Sequence, residues 1–286
     1  MKQKQIIHLT NSSDLQVGTA NIKQPLPNAK VSQISPFLLL HHLQPISVAA
    51  GIDPLGVGPH PHRGFEPITF LFSGGIEHRD SHGNHGILAS GDVQWMTAGR
   101  GIVHSERASK EFMKAGGTLE LVQLWVNLPK KDKMTAARYQ DIKSEQIPVI
   151  TQQQEAIKIR IIAGNFEGKT GPANTFSPIT ALHVTMKPNS KATLPIAKKH
   201  NSFVYVLGGH LNMQKTNIEA TQLAVLSEEG DFVSITANKD SHFLLLSGEP
   251  IHEKVVSWGP YVMNTQTEIL EAMRDYQAGK MGILTY

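Results

Sequence analysis

The sequence predicts an all-β protein built of two barrel-like domains, with one helix at its carboxy-terminal end. Two observations point there: short β-prone runs punctuated by turn residues dominate the chain, and its two halves are faint copies of each other. In the first half, Ile68-Thr69-Phe70-Leu71-Phe72 runs into Ser73-Gly74-Gly75, and the stretch from Leu119 to Val126 is a second such run. In the second half, the runs from Ile157 to Ile162 and from Phe203 to Leu207, the latter before Gly208-Gly209, follow the same pattern. Between the halves, the residues from Pro129 to about Glu155 are polar, rich in lysine and glutamine, and include Pro148. The domain boundary is placed there, giving an amino-terminal barrel over 1–140, a linker over 141–155 and a carboxy-terminal barrel over 156–286. The helix ends the second domain: Thr265 and Glu268 form a capping box, Ile269, Met273 and Tyr276 lie along one face, and Gly279 supplies the stop. Such an amphipathic helix is expected to pack across a barrel or between the two.

The internal repeat carries a functional message. At an offset of 134, Gly58-Pro59-His60-Pro61-His62 through Gly74-Gly75 lies over Ala192 to Ile196 through Gly208-Gly209 without a gap. At an offset of 139, Gly91-Asp92 lies over Gly230-Asp231 and Thr97-Ala98 over Thr236-Ala237. On these alignments His60, His62, His104 and Glu106 fall opposite Leu194, Ile196, Phe243 and Leu245. Each polar position of the first copy is apolar in the second, as a ligand set lost together would be.

Composition narrows the function classes. A chain of 286 residues can bury two ordinary cores. Lysine and arginine exceed the acids by 27 − 24 = 3, and the densest basic patch, Lys130-Lys131-Asp132-Lys133, is interrupted by an acid. That reads as a solvated loop, and direct nucleic-acid binding is not expected. The absence of cysteine excludes disulfides, thiolate metal sites and cysteine catalysis. Neither a secretory leader nor the roughly 18 consecutive apolar residues of a membrane span can be read, so no membrane role is expected and a cytoplasmic location is the default.

Of the 14 histidines, six lie between Gly51 and Lys110: His60, His62, His78, His82, His85 and His104. On a strand, side chains alternate with period two, so a His-x-His pair points both imidazoles to one face. His104 and Glu106 share that spacing. Two such pairs lining one barrel interior would bring three imidazoles and a carboxylate to a point, which suits a divalent first-row transition metal. His78, His82 and His85 fall in the polar run from His78 to Gly86 and read as loop histidines.

These residues carry a family resemblance. Pro59-His60-Pro61-His62-Arg63-Gly64-Phe65-Glu66, followed by the stretch from Gly91 to Glu106, resembles the pirin family of bicupins. So do the stretch from Gln123 to Pro129, Lys133-Met134, Tyr139-Gln140, the segment from Gly259 to Thr265 and Asp275-Tyr276-Gln277-Ala278-Gly279. The resemblance implies two stacked cupin (jelly-roll) barrels, of which only the amino-terminal one holds a metal, usually iron, through His60, His62, His104 and Glu106. It also implies a quercetin 2,3-dioxygenase type of activity or, as the alternative, a non-enzymatic, iron- or redox-responsive regulatory protein with a protein partner. At Ser35 and His41 the chain departs from the family, which commonly carries an acidic or amide residue and an aspartate there, so substrate preference is where it is expected to differ. By the same resemblance Glu66 is not a ligand but a supporting group, with Arg63 as the neighbour that would neutralise it. Trp95, Met96, Phe65 and Phe70 read as barrel packing.

Chemically, four protein ligands would close the tetrahedron of a zinc ion, whereas the octahedral preference of Fe(II), Ni(II) or Co(II) leaves two positions open. Fe(II) is the favoured ion, with Ni, Co and Zn as alternatives. The substrate expected is a small aromatic such as a flavonol, with Glu106 as the base for its hydroxyl.

Overall fold

Strands form wherever the β-prone runs were found. Ile68–Phe72 lies within Phe65–Ser73, the Leu119–Val126 run within Gly117–Asn127, Ile157–Ile162 within Ile157–Ala163, and Phe203–Leu207 within Asn201–Gly208. The computed structural model describes residues 2–284. The chain divides into two compact units. One comprises Met1–Ser13, Lys23–Leu38 and Glu145–Pro250; the other comprises Asp14–Ile22, Leu39–Ser144 and Ile251–Tyr286. They are called here the 145–250 barrel and the 39–144 barrel.

The units interleave along the chain, where the sequence suggested contiguous spans of 1–140 and 156–286. Local pairing accounts for this. Ile6–Asn11 pairs with Gln222–Leu226, with Leu9 opposite Ala224, which ties the amino-terminal segment to the 145–250 barrel. Tyr261 bridges Arg63, which ties the carboxy-terminal segment to the 39–144 barrel. The change of unit at Ser144–Glu145 falls inside the stretch read as a linker, but two strands enter that stretch. Arg138–Ile142 pairs with Val93–Thr97, and Val149–Gln152 pairs with Ile157–Ala163.

Both barrels follow one plan, a seven-stranded sheet and a four-stranded sheet. In the 39–144 barrel the smaller sheet has the order Val57–His62, Ile102–Ala108, Gly75–Asp80, His85–Ala89. In the 145–250 barrel the order is Lys191–Pro195, Phe232–Ala237, His210–Met213, Thr216–Glu219. The equivalence of these sheets supports the 134 offset, because Val57–His62 and Lys191–Pro195 occupy the same place. It corrects the 139 offset. Ile102–Ala108 corresponds to Phe232–Ala237, whereas Phe243 and Leu245 lie on Ser241–Gly248, a strand of the larger sheet. His104 faces His60 as Val233 faces Leu194, so the counterparts of His104 and Glu106 are Val233 and Ile235. Both are fully buried in the apolar core with Leu194 and Ile196, so the polar set is still replaced wholly by hydrocarbon.

The helix Gln266–Gln277 has the expected capping box: Glu268 N–H donates to Thr265 Oγ1, and Glu268 Oε2 accepts from Thr265 N–H. Ile269 and Ala272 are buried and Met273 is partly so, against Val103, Tyr261, Met263 and Met281, while Tyr276 lies 39% exposed, outside the expected stripe. The helix thus packs behind the strand that carries His104. No helix among the described residues is long and apolar enough to cross a membrane.

Candidate metal centre

Strand pairing assembles the site. Val57–His62 and Ile102–Ala108 are antiparallel neighbours with His60 opposite His104, and the pleat turns His60 and His62 to the same face. His60 Nε2 lies 3.0 Å from His62 Nε2 and 2.9 Å from His104 Nε2. The three imidazoles form a cluster whose ligand atoms lie within 4.8 Å of one another. His62 and His104 are buried, and His60 is partly exposed.

The donor set fits a cation. His60 Nδ1 stands 2.9 Å from the Gly58 carbonyl, which can only accept; Nδ1 therefore carries the proton and Nε2 offers a lone pair inward. Burial, with His60 close by, holds both His62 and His104 well below the ordinary histidine range, so both are neutral at physiological pH. The Pro260 carbonyl opposes that shift at His62. With Nε2 unprotonated on all three rings, nitrogens crowded this closely repel unless a positive charge sits among them. Nitrogen–metal bonds of about 2.05 Å would put adjacent nitrogens ~2.9 Å apart at right angles and ~3.3 Å apart in a tetrahedron. The two short edges match the right-angled arrangement.

Glu106 is not part of the histidine cluster among the described residues. A bulge separates it from His104, with Gly58 and Pro59 together opposite Ser105 where the pairing slips from His60 to Val57. Its carboxylate accepts from Thr69 Oγ1 at 3.3 Å and from Gln123 Nε2 at 3.4 Å, and it lines a cavity of about 60 Å³. Counting the open mouth, the free space there reaches about 520 Å³. The walls are aliphatic, with Ile22, Leu43, Val57 and Leu121 among them, and His41 is a further polar member. One strand joins this cavity to the cluster: on Gly117–Asn127, Gln123 reaches Glu106, and Trp125, two residues on, packs edge-on to His62 at 5.5 Å between ring centres.

Phe65, Phe70, Trp95 and Met96 are buried as expected, and Phe65 packs on His62 at 5.1 Å. No aromatic residue lines the cavity among the described residues. Glu66 is buried and accepts from Thr97 Oγ1 at 2.7 Å. Burial pushes its carboxyl up to about 7, against the lowering pull of Thr97, Trp95 and Arg138. Arg63 does not neutralise it. That guanidinium donates to the Arg100 carbonyl at 2.6 Å and to Asp275 at 2.9 Å.

The sequence reading missed several groups. Thr69 and Gln123 sit opposite each other on neighbouring strands, and their signal was a polar side chain inside an apolar run. His78, read as a loop residue, lies on the strand Gly75–Asp80, buried, opposite Glu106 and stacked on Tyr139 at 4.9 Å. His82 is exposed in a turn, and His85 opens a strand and pairs with Glu77 at 3.1 Å. Lys133, assigned to a solvated loop, is buried and donates to Gly64 O, Asn127 Oδ1 and Val262 O at 2.7–2.9 Å.

Comparison with known proteins places this geometry among relatives. A family model described as "Pirin" matches residues 19–126, and one described as "Pirin C-terminal cupin domain" matches residues 181–282. A protein of Pseudomonas aeruginosa, named provisionally as a quercetin 2,3-dioxygenase, is 42% identical over 253 residues, covering 88% of each chain. The crystal structure of a quercetin 2,3-dioxygenase from Acinetobacter baumannii matches with a TM-score of 0.95 at 38% identity, covering 99% of this chain and 100% of that one. A bacterial pirin from Escherichia coli, solved in complex with nickel(II), shares the fold with a TM-score of 0.65 at 18% identity, covering 85% of this chain and 98% of that one.

Proposed function

Since the chain belongs to the pirin family, we propose that its 39–144 barrel is a mononuclear metal centre that opens the heterocycle of a quercetin-like flavonol with dioxygen. His60, His62 and His104 are the ligands, and Glu106 is the fourth once its carboxylate leaves Thr69 and Gln123. The single observation that carries this reading is the convergence of three imidazole Nε2 atoms, with Glu106, two residues beyond His104 on the same strand, lining a mainly apolar cavity that the histidines themselves do not line. Names borne by relatives supply the substrate class.

The chemistry a divalent ion supplies when bound there is Lewis acidity toward a substrate hydroxyl, whose pKa it lowers, and iron(II) is the ion we favour. The remaining work falls to the chain. The Gly58 carbonyl fixes the His60 tautomer, so that its lone pair needs no reorientation. Glu106 stands at the cavity wall as the base for the flavonol 3-hydroxyl, and Thr69 and Gln123 donate to the carboxylate when it is ionised. Aliphatic walls keep bulk water from an electron-rich enolate. The enclosed 60 Å³ accepts only the reacting edge of such a molecule; the rest must occupy the mouth.

His62→Ala should reduce bound metal from one per chain to background in elemental analysis and abolish oxygen uptake with quercetin. Glu106→Gln should keep most of the metal and lose at least a hundredfold in turnover. Metal-replete wild-type protein that consumes no oxygen with quercetin would remove the dioxygenase reading and leave a metal-responsive binding protein.

A further inference from the structure

The helix Gln266–Gln277 reaches the histidine cluster through one ion pair. Asp275, in its last turn, accepts from Arg63 Nη1 at 2.9 Å, and Arg63 is the residue next to His62. The Arg63 side chain is buried, and its Nε–H donates to the Arg100 carbonyl at 2.6 Å. Arg100 lies in the turn that leads into Ile102–Ala108, the strand of His104. One guanidinium therefore spans the end of the His62 strand, the entry to the His104 strand and the helix. A second tie joins the same two turns, since Gly64 N–H donates to Gly99 O at 2.8 Å.

A guanidinium does not give up its proton, so an enclosed one depends on a counter-charge, which Asp275 supplies. Without that carboxylate the cation would turn toward water and abandon the Arg100 carbonyl, freeing the two turns that set His62 and His104 apart. It would also stand uncompensated one residue from a ligand, where positive charge opposes a cation. Asp275 has a second partner, Lys280 at 2.8 Å, but that ammonium is exposed, and a surface pair of this kind contributes little.

We propose that Asp275 is a positioning residue of the metal centre: acting through Arg63, it holds the strands of His62 and His104 at the separation a bound ion requires, so that the helix is a working part of the site. The inference rests on the metal-centre reading above and deepens it. Ligand atoms must stay within about 0.5 Å of their productive places, and the groups that orient them are worth about ten- to a hundredfold in metal affinity.

The test measures cobalt(II) binding to the intact chain by competition with a chelator, without denaturant. Asp275→Asn keeps the shape of the side chain and removes its charge. Arg63→Lys keeps the charge but presents one nitrogen where two separate ones are used. Each should weaken cobalt(II) binding about tenfold and shift the visible absorption bands of the saturated protein, which report the angles between ligands. The double variant should be no weaker than either single one, since both break one connection. Lys280→Met, which removes only the exposed partner of Asp275, should bind and absorb as wild type does. Either of the first two variants suffices if the other fails to fold. A folded Asp275→Asn protein that binds and absorbs like wild type overturns the inference alone, as do additive losses in the double variant. So does a loss in Lys280→Met equal to that in Asp275→Asn, which is what a loosened helix by itself would give. Wild-type protein that takes up no cobalt(II), nickel(II) or iron(II) overturns the metal-centre reading, and the role of Asp275 falls with it.

Discussion

At the scale of single residues, burial decides which of the chain's many polar side chains matter. Glu66 is a carboxyl enclosed by the barrel with Thr97 as its hydrogen-bond donor, and its folded pKa stands near 7 against an ordinary 4.5. Below pH 4.5 the group is protonated folded or unfolded and costs nothing. As pH rises, the unfolded chain ionises first, so the folded state loses stability until the pH passes about 7. The loss amounts to roughly 3 kcal/mol for a shift of that size. Glu66→Gln should remove this component. Urea midpoints measured at pH 5 and pH 8 should fall less with rising pH in the variant than in wild type; equal slopes would mean that Glu66 is not held neutral. The three histidines were legible because a two-residue period puts partners on one face whatever the rest of the fold does. Thr69 and Gln123 were not singled out, since the side chains next to them along the strand do not tell an inward polar residue from an outward one. Their role comes from which strands lie side by side.

At the scale of elements, short-range rules held and long-range ones had to be seen. The capping box of the last helix could be read from four consecutive residues, and the main β runs from composition and turns. Lys133 could not be read in this way, because the nearby Lys130 and Lys131 are exposed while its own ammonium is enclosed. Its three acceptors join three segments: Gly64, two residues beyond His62; Asn127, at the end of a central strand; and Val262, in the closing hairpin. The same hairpin presents the Pro260 carbonyl to His62, and Val262 N–H donates to Arg63 O at 3.0 Å. Lys133 thereby fixes the loop that borders His62, one of the ligands proposed above. Lys133→Met should leave buried acceptors unpaired and cost about 3 kcal/mol or more in chemical denaturation. It should also weaken metal binding about tenfold in a competition titration, the lower end of what loss of a group orienting a ligand costs. A variant that loses stability but binds metal as wild type does would show that the clamp and the site are independent.

At the scale of the whole molecule, one architecture occurs twice with opposite interiors, and the comparison is internal to the chain. Register makes it sharp: His60 opposite His104 in one barrel is Leu194 opposite Val233 in the other. The 139 offset failed because it slid past the strand Phe232–Ala237 onto the next one, an error available only where identities are few. Both strands are apolar inside, so the polar set is replaced by hydrocarbon on either alignment. A hydrophobic core needs no ligand to be stable, whereas on the metal-centre reading proposed above the three-histidine face gains stability when a cation binds. Leu194→His should therefore behave unlike any histidine in the 39–144 barrel. It would place one imidazole in the apolar cluster that holds Leu194, where the equivalent positions offer Ile196 and Val233 instead of further ligands. The expected cost is about 2–4 kcal/mol, read as a lower urea midpoint. Added iron(II), nickel(II) or zinc(II) should not recover it, and elemental analysis should still return one metal per chain. Recovery of stability with metal, or a second equivalent bound, would mean that the 145–250 barrel retains ligands its strand register does not reveal.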